Sequence, residues 1–481
     1  MRKFLFLLFL IYASVLFSQG EDLRIYGYMQ AYGAYFSNYI VEYPVNPLLG
    51  NDPNKPGKFV KEIDYKPYFT AQQLNLFFTK NFRGRWGDFT AFVNLEATNN
   101  FSAKQNFGNF KVEEVFGKYG IDEELNIKFG YFIPPFNNLN EIKNRMPLLP
   151  FLFRPTIYES YINEINIVIQ EDFVPQKANI QIYGGIPLSS DITFNYALYG
   201  GNAEQSYYSN QALSIFPAGI DTSKYKLLGG RIGLESYGIP FIADQDLIFK
   251  VGISGTYDRD NRNKYLNQSI LNNQTQIASL GVAGLTNLYL APIDGNLQRY
   301  RLGADFSFTI SGLTIEGEVV QVKYFNNDPQ IAYMNKYRDN LQNALLLVGG
   351  AAKTLQMEIL ANPTSPDNAV KVLRLSSMQS FIDKARNEFR ENITVGKEFD
   401  KQFYYISANY NITEDFQIYV SYDFSKDLAD LRLDDQVHMF YAGLNWKPTY
   451  AFVFKLQYAR QEVKKINYLL NSYFFGASLY F

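Results

Sequence analysis

Asn471–Phe481, NSYFFGASLYF, closes the chain, and its alternation decides the fold. Successive side chains of an extended strand point to opposite faces. Tyr473, Phe475, Ala477, Leu479 and Phe481 therefore share one face, and Phe474, Gly476, Ser478 and Tyr480 share the other. The first face is a continuous apolar band that suits lipid. Everything before it reads as a barrel that this strand completes, an all-β, transmembrane, antiparallel β-barrel of about 16 strands.

Composition points the same way. The 481 residues include 38 Tyr and 41 Phe but only 2 Trp, an aromatic share of 17%. One soluble core has no use for so many rings, whereas two interfacial girdles around a wide barrel do. Hydrophobic residues make up 47% of the chain and mean hydropathy is -0.20. Beyond the N-terminus no run approaches the ~18 apolar residues of a membrane helix. The absence of cysteine removes disulfides, thiolate metal sites and cysteine nucleophiles together. A net charge of -2 gives no basic field for nucleic acid. No cofactor is expected, since the chain has neither a phosphate-cradling glycine loop nor a His/Cys metal cluster.

Residues 1–20 read as an export signal: Arg2 and Lys3, an apolar core from Phe4 to Phe17, then the small residues Ser18 and Gly20. The core is too short to span a bilayer, and residues 21–481 are left as one barrel domain.

The alternation of the last strand recurs along the chain. Gln73–Thr79 sets Leu74, Leu76 and Phe78 against Gln73, Asn75 and Thr79. Phe89–Thr98 answers with Phe89, Ala91, Val93 and Leu95 opposite Thr90, Asn94 and Glu96, which makes a hairpin. Further hairpins join 112–119 to 126–133, 177–185 to 192–200, 225–235 to 246–257, 299–309 to 313–323, 403–410 to 416–424 and 438–446 to 450–460. With Leu23–Tyr39 and Ile466–Phe481 they total sixteen strands. Every second connection is tight and the others are long. Periplasmic turns and extracellular loops produce that alternation, and a β-sandwich or soluble repeat protein does not need it.

Within residues 325–400 the period becomes helical, over Asn340–Leu360 and Asn368–Phe389, broken by Pro363 and Pro366. A helical extracellular loop capping the rim is expected, with a lid or partner-docking element as the alternative. Lys353, Glu358, Lys371 and Arg374 argue against a transmembrane pair.

Sixteen strands enclose an aqueous channel rather than a filled core. With the apolar set outward, parity places Glu96, Glu114, Lys118, Lys128, Arg231, Glu235, Lys250, Arg299, Arg301, Asp305, Glu316, Glu318, Asp423 and Lys455 in the lumen, seven basic and seven acidic. Mixed sign hydrates a pore without forming the charge-pure ring of strict ion selection. The expected activity is passive diffusion of small hydrophilic solutes or ions, with no enzymatic chemistry. A gated, substrate-specific channel and a structural or adhesion barrel are the alternatives.

Two stretches resemble known families. Gly476, Leu479 and Phe481 resemble the C-terminal assembly signal of bacterial outer-membrane proteins, although Phe474 stands where that signal usually opens on a polar residue. The resemblance implies outer-membrane lipids and the barrel-assembly machinery as partners. Ile127–Glu141, IKFGYFIPPFNNLNE, resembles the phosphate-selective porin O/P family through Gly130, Pro135 and Phe136, with Asn137 in place of the family's common glycine. The preceding VEEVFGKYGIDEELNIKFG resembles the same family's hairpin. Membership would imply a homotrimer of sixteen-stranded pores in the cell outer membrane of a Gram-negative bacterium, with residues 134–175 folded into the lumen as the constriction. Lys143, Arg145 and Arg154 would then line the narrowest point, facing Glu141, Glu159 and Glu164. Phosphate selection in the family uses a dense arginine ladder and a lysine cluster. The even inward charge does not supply them, and that specificity is not carried over.

Two weaker signals remain. His438 points outward with Phe440, Ala442 and Leu444, and the outward residues assigned to its neighbours (Ile418, Val420, Tyr422, Phe452, Phe454 and Leu456) include no serine and no carboxylate for a hydrolytic triad. Asp258, Asp260 and Asn263 in YDRDNRN resemble part of a calcium loop but lack its glycine and distant glutamate.

Overall fold

The computed structural model describes residues 23–36, 39–44, 58–63, 67–85, 87–98, 109–142, 148–152, 174, 176–202, 226–242, 245–260, 280, 282, 297–324, 329–391, 401–427, 436–463 and 468–481. Residues 1–20, the proposed export signal, lie outside them.

Sixteen strands form a closed antiparallel barrel. In chain order these are β1 (Leu23–Phe36), β4 (Tyr68–Gly84), β5 (Gly87–Thr98), β6 (Asn109–Gly120), β7 (Asn126–Phe132), β8 (Lys177–Pro187), β9 (Ile192–Asn202) and β10 (Lys226–Ser236), followed by β12 (Gln245–Asp260), β13 (Leu297–Ile310), β14 (Leu313–Tyr324), β15 (Lys401–Asn411), β16 (Phe416–Asp427), β17 (Gln436–Thr449), β18 (Phe452–Val463) and β19 (Tyr468–Tyr480). Closure is made by β1, which pairs with β4 on one side and β19 on the other, in register Tyr28↔Tyr480 to Phe36↔Ser472. Phe481 extends the seam by exchanging backbone hydrogen bonds with Gly27 at 2.7 and 3.0 Å. No barrel strand is left with an open edge, the condition for strands to lie in hydrocarbon.

Turns gather at one end of the barrel with Leu23 and Phe481, and long connections at the other. The two-residue turn between β13 and β14 sets Ser311 at φ 47° and Gly312 at φ 79°. Positive φ at both central residues lets a two-residue loop follow the strands' twist. Other turns are closed by polar side chains accepting backbone N–H groups: Asp122 Oδ1 from Leu125, Ser189 Oγ from Ile192 and Thr413 Oγ1 from Phe416.

Three elements go beyond the strand pattern read from sequence. A short β11 (Ile239–Ile242) sits within the connection of β10 and β12. A hairpin of β2 (Tyr39–Pro44) and β3 (Lys58–Ile63) rises from the first long connection. The helical region is α1 (Pro329–Ala361) and α2 (Asn368–Glu391). Asn343–Ala361 is long and apolar enough to cross a membrane by length and composition, despite Lys353 and Glu358. Asn368 Nδ2 ties the α1–α2 turn by donating to the Asn362 and Pro363 carbonyls.

The two faces of the wall differ sharply. Ile180, Leu198, Leu228, Ile253, Leu302, Val319, Ile406 and Val420 are exposed on the outer face, at one level of successive strands. Their sequence neighbours Gln181, Tyr199, Ser254, Arg301, Glu318, Tyr405 and Ser421 are buried on the inner face. A one-residue slip anywhere would turn polar groups to the lipid side, so this pattern also fixes register.

Candidate functional site: the inner wall and the segment that crosses it

The inner face carries paired charges on β10, β12 and β13. Arg231 grips Asp305 through Nη2 at 2.6 Å and Nε at 3.2 Å, and Arg299 grips Asp258 at 2.6 and 2.9 Å. Both are two-point guanidinium–carboxylate pairs, the strongest geometry for such a contact. Lys250 meets Glu235 at 2.8 Å, and Asn195 donates to the same carboxylate. Asp258 is thus committed to Arg299 and fully buried in the wall, in keeping with the incomplete calcium-loop pattern around it. Asp260 ends β12, and Asn263 lies outside the described residues.

The other charges read as inward lie on the same face. Glu96 accepts from Gln73, Glu316 from Ser407 and Asp423 from Ser421. Glu114 Oε1 accepts from Ile133 N at 3.4 Å. Arg301 is completely buried opposite Thr256 and Val322. Lys118 Nζ sits 5.5 Å above the Tyr183 ring, and Lys128 Nζ lies between Phe116 at 4.2 Å and Phe132 at 4.3 Å.

The connection after β7 runs along this inner face. Its start is tied by Asn179, which donates to the Phe132 carbonyl, and by Asn140, which links the Pro134 and Val174 carbonyls at 2.8 and 3.0 Å. It then reaches β12–β14. Asn137 N donates to Ser254 Oγ at 2.9 Å, and Leu139 N donates to Glu318 Oε1 at 2.6 Å. Asn137 adopts φ 53°, and its side chain lies directly on Gly303, where a Cβ would overlap it. Residues 148–152 touch a further arc. Lys455 Nζ donates to the Leu149 carbonyl at 2.6 Å and to Gln30 Oε1 at 3.2 Å. Leu152 N donates to Gln457 Oε1 at 2.6 Å, and Phe151 meets Tyr419 edge-on at 5.2 Å. Leu152 also packs against Gly476, whose inward face is thereby occupied. Three arcs of wall, β6–β8, β12–β14 and β16–β19, hold one segment.

Of the six residues read as a constriction, Glu141 is described: its carboxylate lies 4.0 Å from Lys128 Nζ. Lys143, Arg145, Arg154 and Glu159, with Glu164, lie outside the described residues. Leu479 pairs with Met29 on the outer face, and Phe481 packs over Gly27. The wall residues that were missed in holding the crossing segment are uncharged: Ser254, Gln457 and Tyr419. Parity alone would have put Ser254 and Gln457 inward, but a search restricted to charges passes over them.

On the outer face, His438 Nδ1 lies 2.7 Å from Tyr422 Oη, and Glu462 stands opposite it in register. This corrects the expectation that no carboxylate adjoins His438: β18 runs on past Arg460 and carries Glu462 with it. No serine is on that face among the described neighbours, so a nucleophile is still missing.

Toward the turn end, a cavity of about 1250 Å³ opens among Arg24, Arg83, Lys118, Asp88, Asp122 and Asn195.

No protein-family model matches the chain, and neither does any curated sequence. Among solved structures, it is similar to Salmonella typhi OmpF in complex with daunomycin, at 10% identity over 96% of this chain and 98% of that one, with a TM-score of 0.50. An anion-selective porin from Comamonas acidovorans is matched at 10% identity over 96% of this chain and 100% of that one, TM-score 0.44. The outer-membrane channel DcaP of Acinetobacter baumannii is matched at 10% identity over 96% and 98%, TM-score 0.44. At such identity the Salmonella likeness shows the fold: the barrel is of the outer-membrane porin type.

Proposed function

We propose that the protein is a porin of the Gram-negative outer membrane, through which small hydrophilic solutes and ions diffuse passively. The observation that carries this reading is the two-sided wall, sixteen strands closed in a ring, polar and charged within and aliphatic without. A barrel of that width is too wide for wall side chains to fill. Residues 1–20 direct export, and Gly476, Leu479 and Phe481 are read by the barrel-assembly machinery. The outer belt contacts lipid, and α1–α2 caps the extracellular rim.

In this reading the segment 134–175 narrows the pore, with Lys143, Arg145 and Arg154 facing Glu141 and Glu159. The pore is not specific for phosphate. Arg231 and Arg299 already spend their charge on Asp305 and Asp258, so they do not form the open cationic ladder that phosphate selection requires. Protomers assemble as a homotrimer, as closed symmetry favours for such pores.

Purified protein in a planar bilayer tests this reading. Stepwise conductance with weak ion selectivity in a salt gradient is expected, and cross-linking should trap three copies. Arg145→Ala with Arg154→Ala should move the reversal potential toward cation preference. Recordings without reproducible steps would remove the porin reading, and an unmoved potential would remove both arginines from the narrowest point.

A further inference from the structure

A water-filled barrel has no use for a row of aromatic rings on its inner wall, yet five neighbouring strands carry one. Tyr26 stacks on Phe77 at 5.0 Å and Tyr28 meets it at 5.4 Å. Phe77 meets Phe92 at 5.9 Å, Phe92 stacks on Phe116 at 4.7 Å, and Phe116 meets Phe132 at 6.0 Å. The row is on the inner face by register, since Tyr26 pairs with Phe77 and Phe92 with Phe116. At its β7 end it is capped by the Lys128 ammonium and by the start of the crossing segment. At its β1 end it opens into a cavity of about 330 Å³ walled by Tyr26, Tyr28, Phe77, Tyr480, Tyr450 and Leu148, the last contributed by the crossing segment.

We infer that this cavity is a binding subsite for small aromatic carboxylates. Its volume lies at the lower end of ligand sites, roughly 300–1,000 Å³, enough for one or two fused rings. Its lining is almost wholly apolar, so it suits a flat hydrocarbon ring and not a saccharide, which needs hydrogen-bonding partners around its rim. The acidic end is supplied from outside the cavity. Arg24 lies two residues before Tyr26 on the same face of β1, about 7 Å away by strand geometry. Arg24 also lines the larger turn-end cavity with Arg83 and Lys118. That cavity holds Asp88, Asp122 and Glu123 as well, and on β1 Arg24 is the cation beside the Tyr26 end of the ring row, as Lys128 is at the β7 end. A carboxylate held at Arg24 leaves its ring over Tyr26 and Phe77. The subsite rests on the pore reading for its physiological meaning but not for its existence.

Two measurements separate these. Saturation-transfer NMR on detergent-folded protein should show benzoate ring protons contacting the protein, with acetate, cyclohexanecarboxylate and maltose weaker. Tyr26→Ala, Phe77→Leu and Arg24→Gln should each weaken benzoate about tenfold, the size of one aromatic or charged contact. In bilayers, benzoate should produce reversible current interruptions that Tyr26→Ala reduces. Channels that open normally but bind benzoate no better than acetate overturn the subsite, as does maltose binding more tightly than benzoate. Benzoate binding lost in the three variants, in a protein that forms no channel, supports the subsite and overturns the pore reading instead. Phe77→Leu keeps the position apolar, and heat-dependent gel mobility confirms that each variant is folded.

Discussion

Two long connections leave the same end of the barrel and meet opposite fates. Residues 133–142 and 148–152 lie along the inner wall, whereas 329–391 fold on themselves as α1 and α2. The difference lies in where each backbone finds its hydrogen bonds. In the helical pair the main chain bonds to itself, and what remains is side-chain burial at Ala344, Leu345, Val348, Met378, Phe381 and Ile382. The crossing segment has four prolines among residues 134–150 that bar a helix, and its N–H and carbonyl groups go to the wall: Ser254, Glu318, Lys455 and Gln457. A loop enters a barrel when the wall holds the partners its backbone lacks.

The sharpest way to break this contrast is to remove the wall's partners. Lys455→Met with Gln457→Leu leaves the Leu149 carbonyl and Leu152 N–H without their wall contacts, at about 1–3 kcal/mol for each buried group. Single-channel conductance should rise and a protease should gain a cut near residues 143–152; unaltered conductance in folded double mutant would sink the comparison.

A smaller effect is expected from Gly303→Val, whose side chain would occupy the space of Asn137. Overpacking of this kind costs about 1–3 kcal/mol. Unfolding in urea should shift accordingly, with conductance noisier than in the parent.

For the helical pair the contrast predicts independence. Replacing 329–391 by a short linker should leave conductance unchanged, and a clear increase would make the pair a gate instead of a cap. Smallest of all is Lys371→Ala, which removes an exposed contact to Glu358 at 3.0 Å. Such pairs contribute about 0.2–1 kcal/mol, so thermal melting of the helical signal should barely move.

The barrel was legible because its signal is local. Gln73–Thr79 and Phe89–Thr98 show their faces within seven to ten residues, and Ser311-Gly312 announces its own turn. The helices were legible by period, though α1 begins earlier than its apolar spacing suggested, at Pro329. The site was less so. Glu462 was missed because the end of β18 is blurred by charged residues, and Asp258 was left out of the inward set because its strand was read to end at Tyr257, whereas β12 runs on to Asp260.

By itself the sequence determined the strand count, the turn and loop ends, and which side chains face inward, since alternation with period two is a property of each strand alone. It did not determine which inward residues meet. Arg231 and Asp305 are 74 residues apart, Asn137 and Ser254 are 117, and Lys455 and Leu149 are 306. Only closure of the sheet, with its fixed stagger between strands, brings such pairs to one level; parity names a face, and the closed ring chooses the partner.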